Sequence, residues 1–267
     1  VCGRYAASAN PEDLVEEFEV DQVRTDEAAL RPSWNVAPTQ TVPVVLTRVP
    51  RPDEEAASPE PVRQLRAVRW GLVPSWARDV AIGSRLVNAR METAADKPAF
   101  RAALARRRCL VPADGYYEWY TPQEASDGPG GRKVRKQPFF IHRGDGARLA
   151  LAGLYELWHA PDAEADEGWL WTMTVLTTQA SDDVGRIHDR MPLLVPARDY
   201  AAWLDPAQTD GRAALGLLVP AAPGLLDATA VSDRVNNVRN DGPELVRPLP
   251  PEGGPAELGG DGGGRLF

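Results

Sequence analysis

The chain opens Val1-Cys2-Gly3-Arg4-Tyr5, and Cys2 is the residue whose position matters most for chemistry. Val1 is read as an initiator, a GTG start codon written out literally where the cell inserts Met. Removing it would leave the Cys2 α-amine and thiol two carbons apart, as a 1,2-aminothiol. An α-amine titrates near ~7.7–8.0 and a thiol near ~8.5, so each has an appreciable deprotonated fraction at neutral pH. The amine can condense with an aldehyde to a Schiff base, and the thiol can then close a five-membered thiazolidine. The same thiol can instead attack an amide or ester, or simply pack as a small buried hydrophobe.

Three further positions carry usable chemistry. Glu118, in Asp114-Gly115-Tyr116-Tyr117-Glu118-Trp119, shares one face of an expected strand with Tyr116 and Tyr120. A carboxylate between aromatics loses solvation and titrates closer to neutrality, in the range of a general acid–base; the alternative is an exposed strand glutamate. His188, one of three histidines, precedes Asp189 and Arg190 and a helix-ending Met191-Pro192. It can move a proton near pH 7 or serve as a structural cap. Asn88 and Arg90 flank Ala89 on one face of an extended segment, where an amide and a guanidinium can bind a backbone oxygen and a phosphate. Trp34, Trp70 and Trp76 are candidates either for stacking on bases or for the core. His142 and His159 have no acidic or Cys partner at useful spacing and are read as structural. The three scattered His and two Cys give no metal-ligand spacing, so neither a metal nor another cofactor is expected.

The elements that must position these groups are short. Asn10-Pro11 with Asp13 predicts an N-cap, an N1 proline and a helix over about 11–19. Residues 31–41 read as a loop, 42–48 as a strand, and 50–62 as a surface loop. A strand from 65 runs into the aromatic turn ending at Trp76, and a short strand covers 85–90. A helix is expected over 98–107. Strands at 108–112 and 116–120 flank a turn, with a polar connection at 121–136. Strands 137–143 and 148–155 are expected to pair as a hairpin across Gly144-Asp145-Gly146. A strand at 170–176 follows, then a helix capped by Ser181, a helix over 197–204, and strands at 215–219 and 228–232. With no βαβ rhythm and no internal repeat, the pattern predicts one α+β domain around an antiparallel, barrel-like β core flanked by short helices.

Composition bounds the function. The chain has 267 residues, 43% of them hydrophobic, and can bury a full core. It has no apolar run long enough to span a bilayer and no secretory-signal pattern. Two cysteines, Cys2 and Cys109, are too few for a disulfide framework and fit a reducing cytoplasm; Cys109 is read as a core thiol. The net charge of −8 argues against nucleic acid only if averaged over the whole chain. Basic residues concentrate over 85–108 (Arg85, Arg90, Lys97, Arg101, Arg106, Arg107, Arg108) and again over 132–143, compatible with a local basic groove.

Together, Cys2-Gly3-Arg4-Tyr5, Asn35-Val36-Ala37-Pro38, Trp70-Gly71-Leu72-Val73-Pro74, Asn88-Ala89-Arg90-Glu92-Thr93, the Asp114–Trp119 run, Ile187–Pro192 and Val235-Asn236-Asn237 resemble the SOS-response-associated peptidase (SRAP) family. These proteins are also described as abasic-site-processing proteins and DNA–protein-crosslink sensors. The resemblance implies a single domain over 2–249; the Gly and Pro content of 250–267 predicts a disordered tail, a departure from the family. It implies a covalent trap for abasic sites in single-stranded DNA, in which the site is protected from strand cleavage as a thiazolidine. Glu118 would assist ring opening, the Cys2 amine would attack C1′, and the Cys2 thiol would close the ring. His188 would assist Schiff-base chemistry and reversal, and Asn88 would hold the Cys2 terminus in register. Arg4, Arg90 and Arg190 would bind flanking phosphates, while Pro38 and Trp70 would wedge or stack against bases. A monomer is expected, cytoplasmic and nucleoid-associated when on DNA, with residue 1 removed by autoproteolysis or by an aminopeptidase. Peptidase or hydrolase and DNA-lyase-like activity is implied by the same resemblance; the rival readings are an N-terminal-nucleophile amidohydrolase, an endopeptidase with Cys2 and His188 as a dyad oriented by Glu118 or Asn88, and a non-catalytic DNA-binding module.

Overall fold

The computed structural model describes residues 2–26, 29–50, 60–121, 136–164, 168–180 and 182–250. In chain order the elements are β1 (Tyr5–Ala7), α1 (Pro11–Glu17), β2 (Gln22–Val23), β3 (Ser33–Val36), β4 (Thr41–Arg48), β5 (Val62–Trp70), β6 (Asn88–Arg90), α2 (Met91–Ala94) and α3 (Arg101–Arg106). They continue with β7 (Arg108–Ala113), β8 (Gly115–Tyr120), β9 (Gln137–Arg143), β10 (Leu149–His159), β11 (Trp169–Gln179), α4 (Asp182–Ile187), β12 (Arg190–Pro192), α5 (Tyr200–Leu204), α6 (Gly211–Leu215) and β13 (Leu226–Ala230).

Five strands close on themselves. β4 pairs with β5 and β7, β7 with β10, and β10 with β11, all antiparallel; β11 then meets β5 in parallel through Thr172 opposite Arg69 and Met173 opposite Trp70. This is the expected barrel-like core, closed by one parallel contact. A second sheet, in the order β13-β9-β8-β1-β3, carries the N-terminus between β3 and β8. Period-2 alternation sends Val42, Val44 and Leu46 of β4 into one cluster with Trp70, Cys109, Met173 and Val175, and sends Val45 into another. Cys2, Tyr5, Tyr116 and Ile141 of the second sheet's side join the first cluster, so one core unites the barrel with the sheet that bears the N-terminus. The other cluster packs Leu14 and Phe18 beside α1, Leu104 of α3, Trp203 of α5 and Leu215 of α6.

The helix start at Asn10 is as its sequence predicts: its side chain accepts from the Asp13 N–H at 2.8 Å, with Pro11 in the first turn. Other expectations are corrected. Strands 137–143 and 148–155 form no hairpin: β9 pairs with β8 and β13, while β10 is taken by β7 and β11 in the barrel. Residues 31–41 contain β3, and 215–219 is the end of α6 and the turn after it, with Leu215 and Leu218 buried. Ser181 and most of the loops at 50–62 and 121–136 lie outside the described residues, as does the tail beyond residue 250. Gly71 has φ +124°, and a Cβ there would stand 2.6 Å from the Gly83 carbonyl oxygen, so only glycine lets the chain leave β5 directly after Trp70. No described helix is long and apolar enough to cross a membrane.

Candidate active site

Cys2 is wholly buried, and its carbonyl accepts a hydrogen bond from Asn88 Nδ2 at 2.8 Å. Asn88 is held from two sides. β6 lies parallel to β11, with Asn88 opposite Val175, and Trp70 Nε1 donates to the carbonyl of the preceding residue, Val87, at 2.8 Å. Trp70 also meets Tyr5 edge to face at 5.1 Å between ring centroids. Trp70 has no exposed surface, so the expectation that it stacks on a base is corrected: it is a core residue that carries the Asn88 strand. Trp76, 59% exposed, is the tryptophan of that segment with an open face.

Glu118 lies on β8, only 3% exposed. Burial pushes its carboxyl up to about 7, and the Asp189 carboxylate acts in the same direction. Burial also drives the Cys2 thiol well above its ordinary range, and the nearby Glu118 carboxylate adds to that shift. His188 follows α4, and burial lowers its pKa. Its Nδ1 lies 3.0 Å from both the Arg190 backbone N–H and an oxygen of the Asp189 carboxylate, so it can accept from the first when neutral and donate to the second when protonated.

Glu118 and His188 line one groove of about 570 Å³ with Gly3, Arg4, Trp119, Lys136, Asp233 and Asn236. The basic residues around it are employed differently from one another. Arg4 NH1 donates to Asn35 Oδ1 and to the Val235 carbonyl, both at 2.7 Å, and the guanidinium lies 5.8 Å from the Trp119 ring centre. Arg190 forms a fork on Glu92, at 2.7 and 2.9 Å, and also donates to the Thr177 carbonyl. Arg90 is exposed, and its backbone lies opposite the same Thr177. Arg107 and Arg108 are engaged in the protein itself: Arg107 pairs with Glu156, and Arg108 donates to the carbonyls of Leu104, Ala105, Trp203 and Asp205. Pro38 is half-buried in a turn beside β3.

Asn35 is a positioning residue for which sequence reasoning assigned no role. It is 1% exposed, and its Nδ2 donates to the carbonyls of Val235, Asn237 and Asn240 at 3.3, 3.1 and 2.7 Å. It thereby ties the C-terminal turn Asp233–Asn236 to the N-terminal sheet. Asn236 completes the wall by accepting from Trp119 Nε1 at 2.7 Å. The signal was present in the Asn35–Pro38 and Val235–Asn237 motifs, but nothing local relates residues two hundred positions apart. Among the described residues no group of His, Cys, Asp and Glu could hold a metal ion.

A family model described as SOS response associated peptidase (SRAP) matches residues 1–238. The chain belongs to the SRAP family. Among its relatives, the abasic site processing protein YoqW of Bacillus subtilis (strain 168) is 34% identical over 246 residues, covering 92% of this chain and 99% of YoqW. The abasic site processing protein HMCES of Gallus gallus is 33% identical, covering 84% of this chain and 68% of HMCES. A solved protein from Bordetella bronchiseptica shares 27% identity at a TM-score of 0.65, over 86% of this chain and all of that one. Another from Bacteroides thetaiotaomicron, at 22% identity and a TM-score of 0.73 over 93% of this chain, shares the SRAP fold.

Proposed function

We propose that this protein senses abasic sites in single-stranded DNA and traps them covalently through Cys2 once residue 1 is gone. The observation that carries the reading is the placement of Cys2: its backbone is held by Asn88, beneath a groove whose Glu118 carboxyl titrates near neutrality. Relatives at about one-third identity named as abasic site processing proteins support it.

An abasic deoxyribose interconverts between a closed hemiacetal and an open C1′ aldehyde. Glu118, carrying a proton for part of the time at neutral pH, exchanges protons with the ring oxygen and the 1′-hydroxyl as the ring opens. The Cys2 amine lone pair then adds to C1′, and water leaves to give the C=N bond. His188 and Glu118 supply the proton that the departing hydroxyl needs. Finally the Cys2 sulfur adds to the imine carbon, its proton passing to the nitrogen. The thiazolidine removes the aldehyde and with it β-elimination of the 3′ strand.

The complete burial of the Cys2 thiol, which raises its pKa, supports one order of steps. A buried thiol that stays protonated is a poor first nucleophile, whereas a cysteine peptidase or amidohydrolase depends on a lowered one. This favours attack by the amine first. The peptide bond that any peptidase activity of this site would cut is Val1–Cys2; an aminopeptidase would serve equally. Arg90 and Arg190 bind phosphates flanking the lesion, Pro38 wedges beside it, and Arg4 acts mainly through the wall it holds. The working unit is a monomeric domain over 2–249, acting in the cytoplasm at the nucleoid, with 250–267 as a tail. The test is a denaturing gel of mature protein with a single-stranded oligonucleotide bearing one abasic site. An adduct that disappears in Cys2→Ala is expected; no adduct, with hydrolysis of glutamine or peptide instead, would overturn the reading.

A further inference from the structure

The turn Ala37-Pro38-Thr39-Gln40 holds a backbone that its sequence does not favour. Thr39 has φ +74°, one of two non-glycine residues with positive φ among those described. With Pro second and a positive φ third, the turn has the pattern of type II, whose third position calls for Gly or Asn. A β-branched residue there is an outlier, because its Cβ crowds the backbone. The surroundings enforce it. Thr39 N–H donates to the Trp70 carbonyl at 2.8 Å, Trp70 N–H donates to the Gln40 carbonyl at 2.8 Å, and Gln40 Oε1 accepts the Ala37 N–H at 2.8 Å. None of these bonds uses the Thr39 side chain, which is exposed.

The sheet register locates this side chain. Tyr5 lies opposite Val36 on one flank and Tyr116 on the other, and Tyr117 N–H donates to the Arg4 carbonyl. Because both pairings are antiparallel, the chain that follows Val36 and the chain that follows Tyr116 both run toward the end of β1 that carries Gly3 and Cys2. The turn that holds Thr39 therefore leaves β3 at the same end of the sheet as Glu118. Strain maintained by three hydrogen bonds at the rim of a reactive centre is the pattern of a functional constraint.

We propose that Thr39 is a DNA-contact residue, its hydroxyl donating to a phosphodiester oxygen of the single strand next to the trapped nucleotide. A hydroxyl on a fixed turn sets the register of the backbone without reading sequence, as a trap for a baseless nucleotide requires. This rests on the abasic-DNA reading above.

The experiment measures binding of a single-stranded oligonucleotide carrying a tetrahydrofuran abasic analogue, which cannot crosslink, by fluorescence anisotropy. Thr39→Val, which keeps the shape and strain but loses the hydroxyl, should weaken binding about tenfold, while Thr39→Ser should bind like the parent. Thr39→Gly should raise the Tm by about 2 °C, as strain is relieved, yet bind as weakly as Thr39→Val. Replacing flanking phosphates one at a time by neutral methylphosphonates should abolish the difference between parent and Thr39→Val at one position. Parent protein that binds while Thr39→Val binds equally well overturns this proposal alone, as does a difference that survives every methylphosphonate. Parent protein that does not bind the analogue overturns the abasic-DNA reading and this proposal with it.

Discussion

Asn88 Nδ2 reaches the Cys2 carbonyl oxygen at 2.8 Å, joining residues 86 positions apart in sequence through one amide hydrogen bond. The bond fixes the backbone from which both the amine and the thiol of Cys2 project. It therefore acts on orientation rather than on affinity. Asn88→Ala should slow crosslinking about ten- to a hundredfold, with binding of a tetrahydrofuran-containing single strand unchanged. Equal losses in both would place Asn88 among the DNA-binding residues instead.

Trp70 supports that amide from below. In Trp70→Phe the Val87 carbonyl loses its donor and the core loses volume, so stability should fall by about 2 kcal/mol, read as a lower Tm. Crosslinking should slow in step with Asn88→Ala while affinity holds, because no face of Trp70 meets solvent. Trp76→Ala should do the reverse, weakening affinity with stability intact.

Burial of Glu118 makes a prediction about pH. Its folded-state pKa, about 7, lies above its ordinary value of 4.5, so the folded state holds the proton more tightly than the unfolded one. Stability from this group is complete below pH 4.5 and is lost as pH rises to about 7, by a total on the order of 3 kcal/mol. Glu118→Gln should flatten the decline in Tm between those pH values and be the more stable protein at pH 8, while crosslinking slowly. A parent Tm that rises from pH 5 to pH 8 with no change in Glu118→Gln would contradict the assignment.

The Arg190 fork is closed on Glu92, and this ion pair holds the Glu92 carboxyl below its usual range. A phosphate reaching Arg190 must compete with that carboxylate. Glu92→Gln should therefore tighten single-strand binding and steepen its dependence on log salt by about 0.7. Unchanged affinity and slope would make Arg190 a structural residue.

Much of this was legible in the sequence where the cause is local. Asn10-Pro11 announces α1 because a cap and an N1 proline act within one turn, and the short apolar run Val42-Pro43-Val44-Val45-Leu46 announces β4 because both its faces are buried. Partners were less legible. Gly144-Asp145-Gly146 reverses the chain, but a reversal does not oblige β9 to pair with β10 when β7 takes Leu149–Leu154 of β10 and β11 takes Gly153–His159. The run Leu215-Gly216-Leu217-Leu218-Val219 is too short for periodicity to separate strand from buried helix end. At the site, Cys2, Glu118 and His188 announced their chemistry by residue type, and the structure gathers Glu118 and His188 around one groove beside Cys2. Trp70 did not reveal that it faces inward, since alternation says which residues share a face but not which face is covered. Asn35 was quiet because its partners lie near the other end of the chain.

The most direct test of the central claim is the intact mass of the adduct between mature protein and a single-stranded oligonucleotide with one abasic site, taken without borohydride. The account predicts the mass of the chain from Cys2 onward plus the oligonucleotide less one water, stable to denaturation. Cys2→Ser should give a covalent species only after borohydride reduction, since its hydroxyl closes no stable ring, and protein retaining residue 1 should give none. An adduct formed by protein that still carries residue 1 would contradict attack by the Cys2 amine, and an equally stable unreduced adduct in Cys2→Ala, which keeps that amine, would contradict ring closure by the thiol.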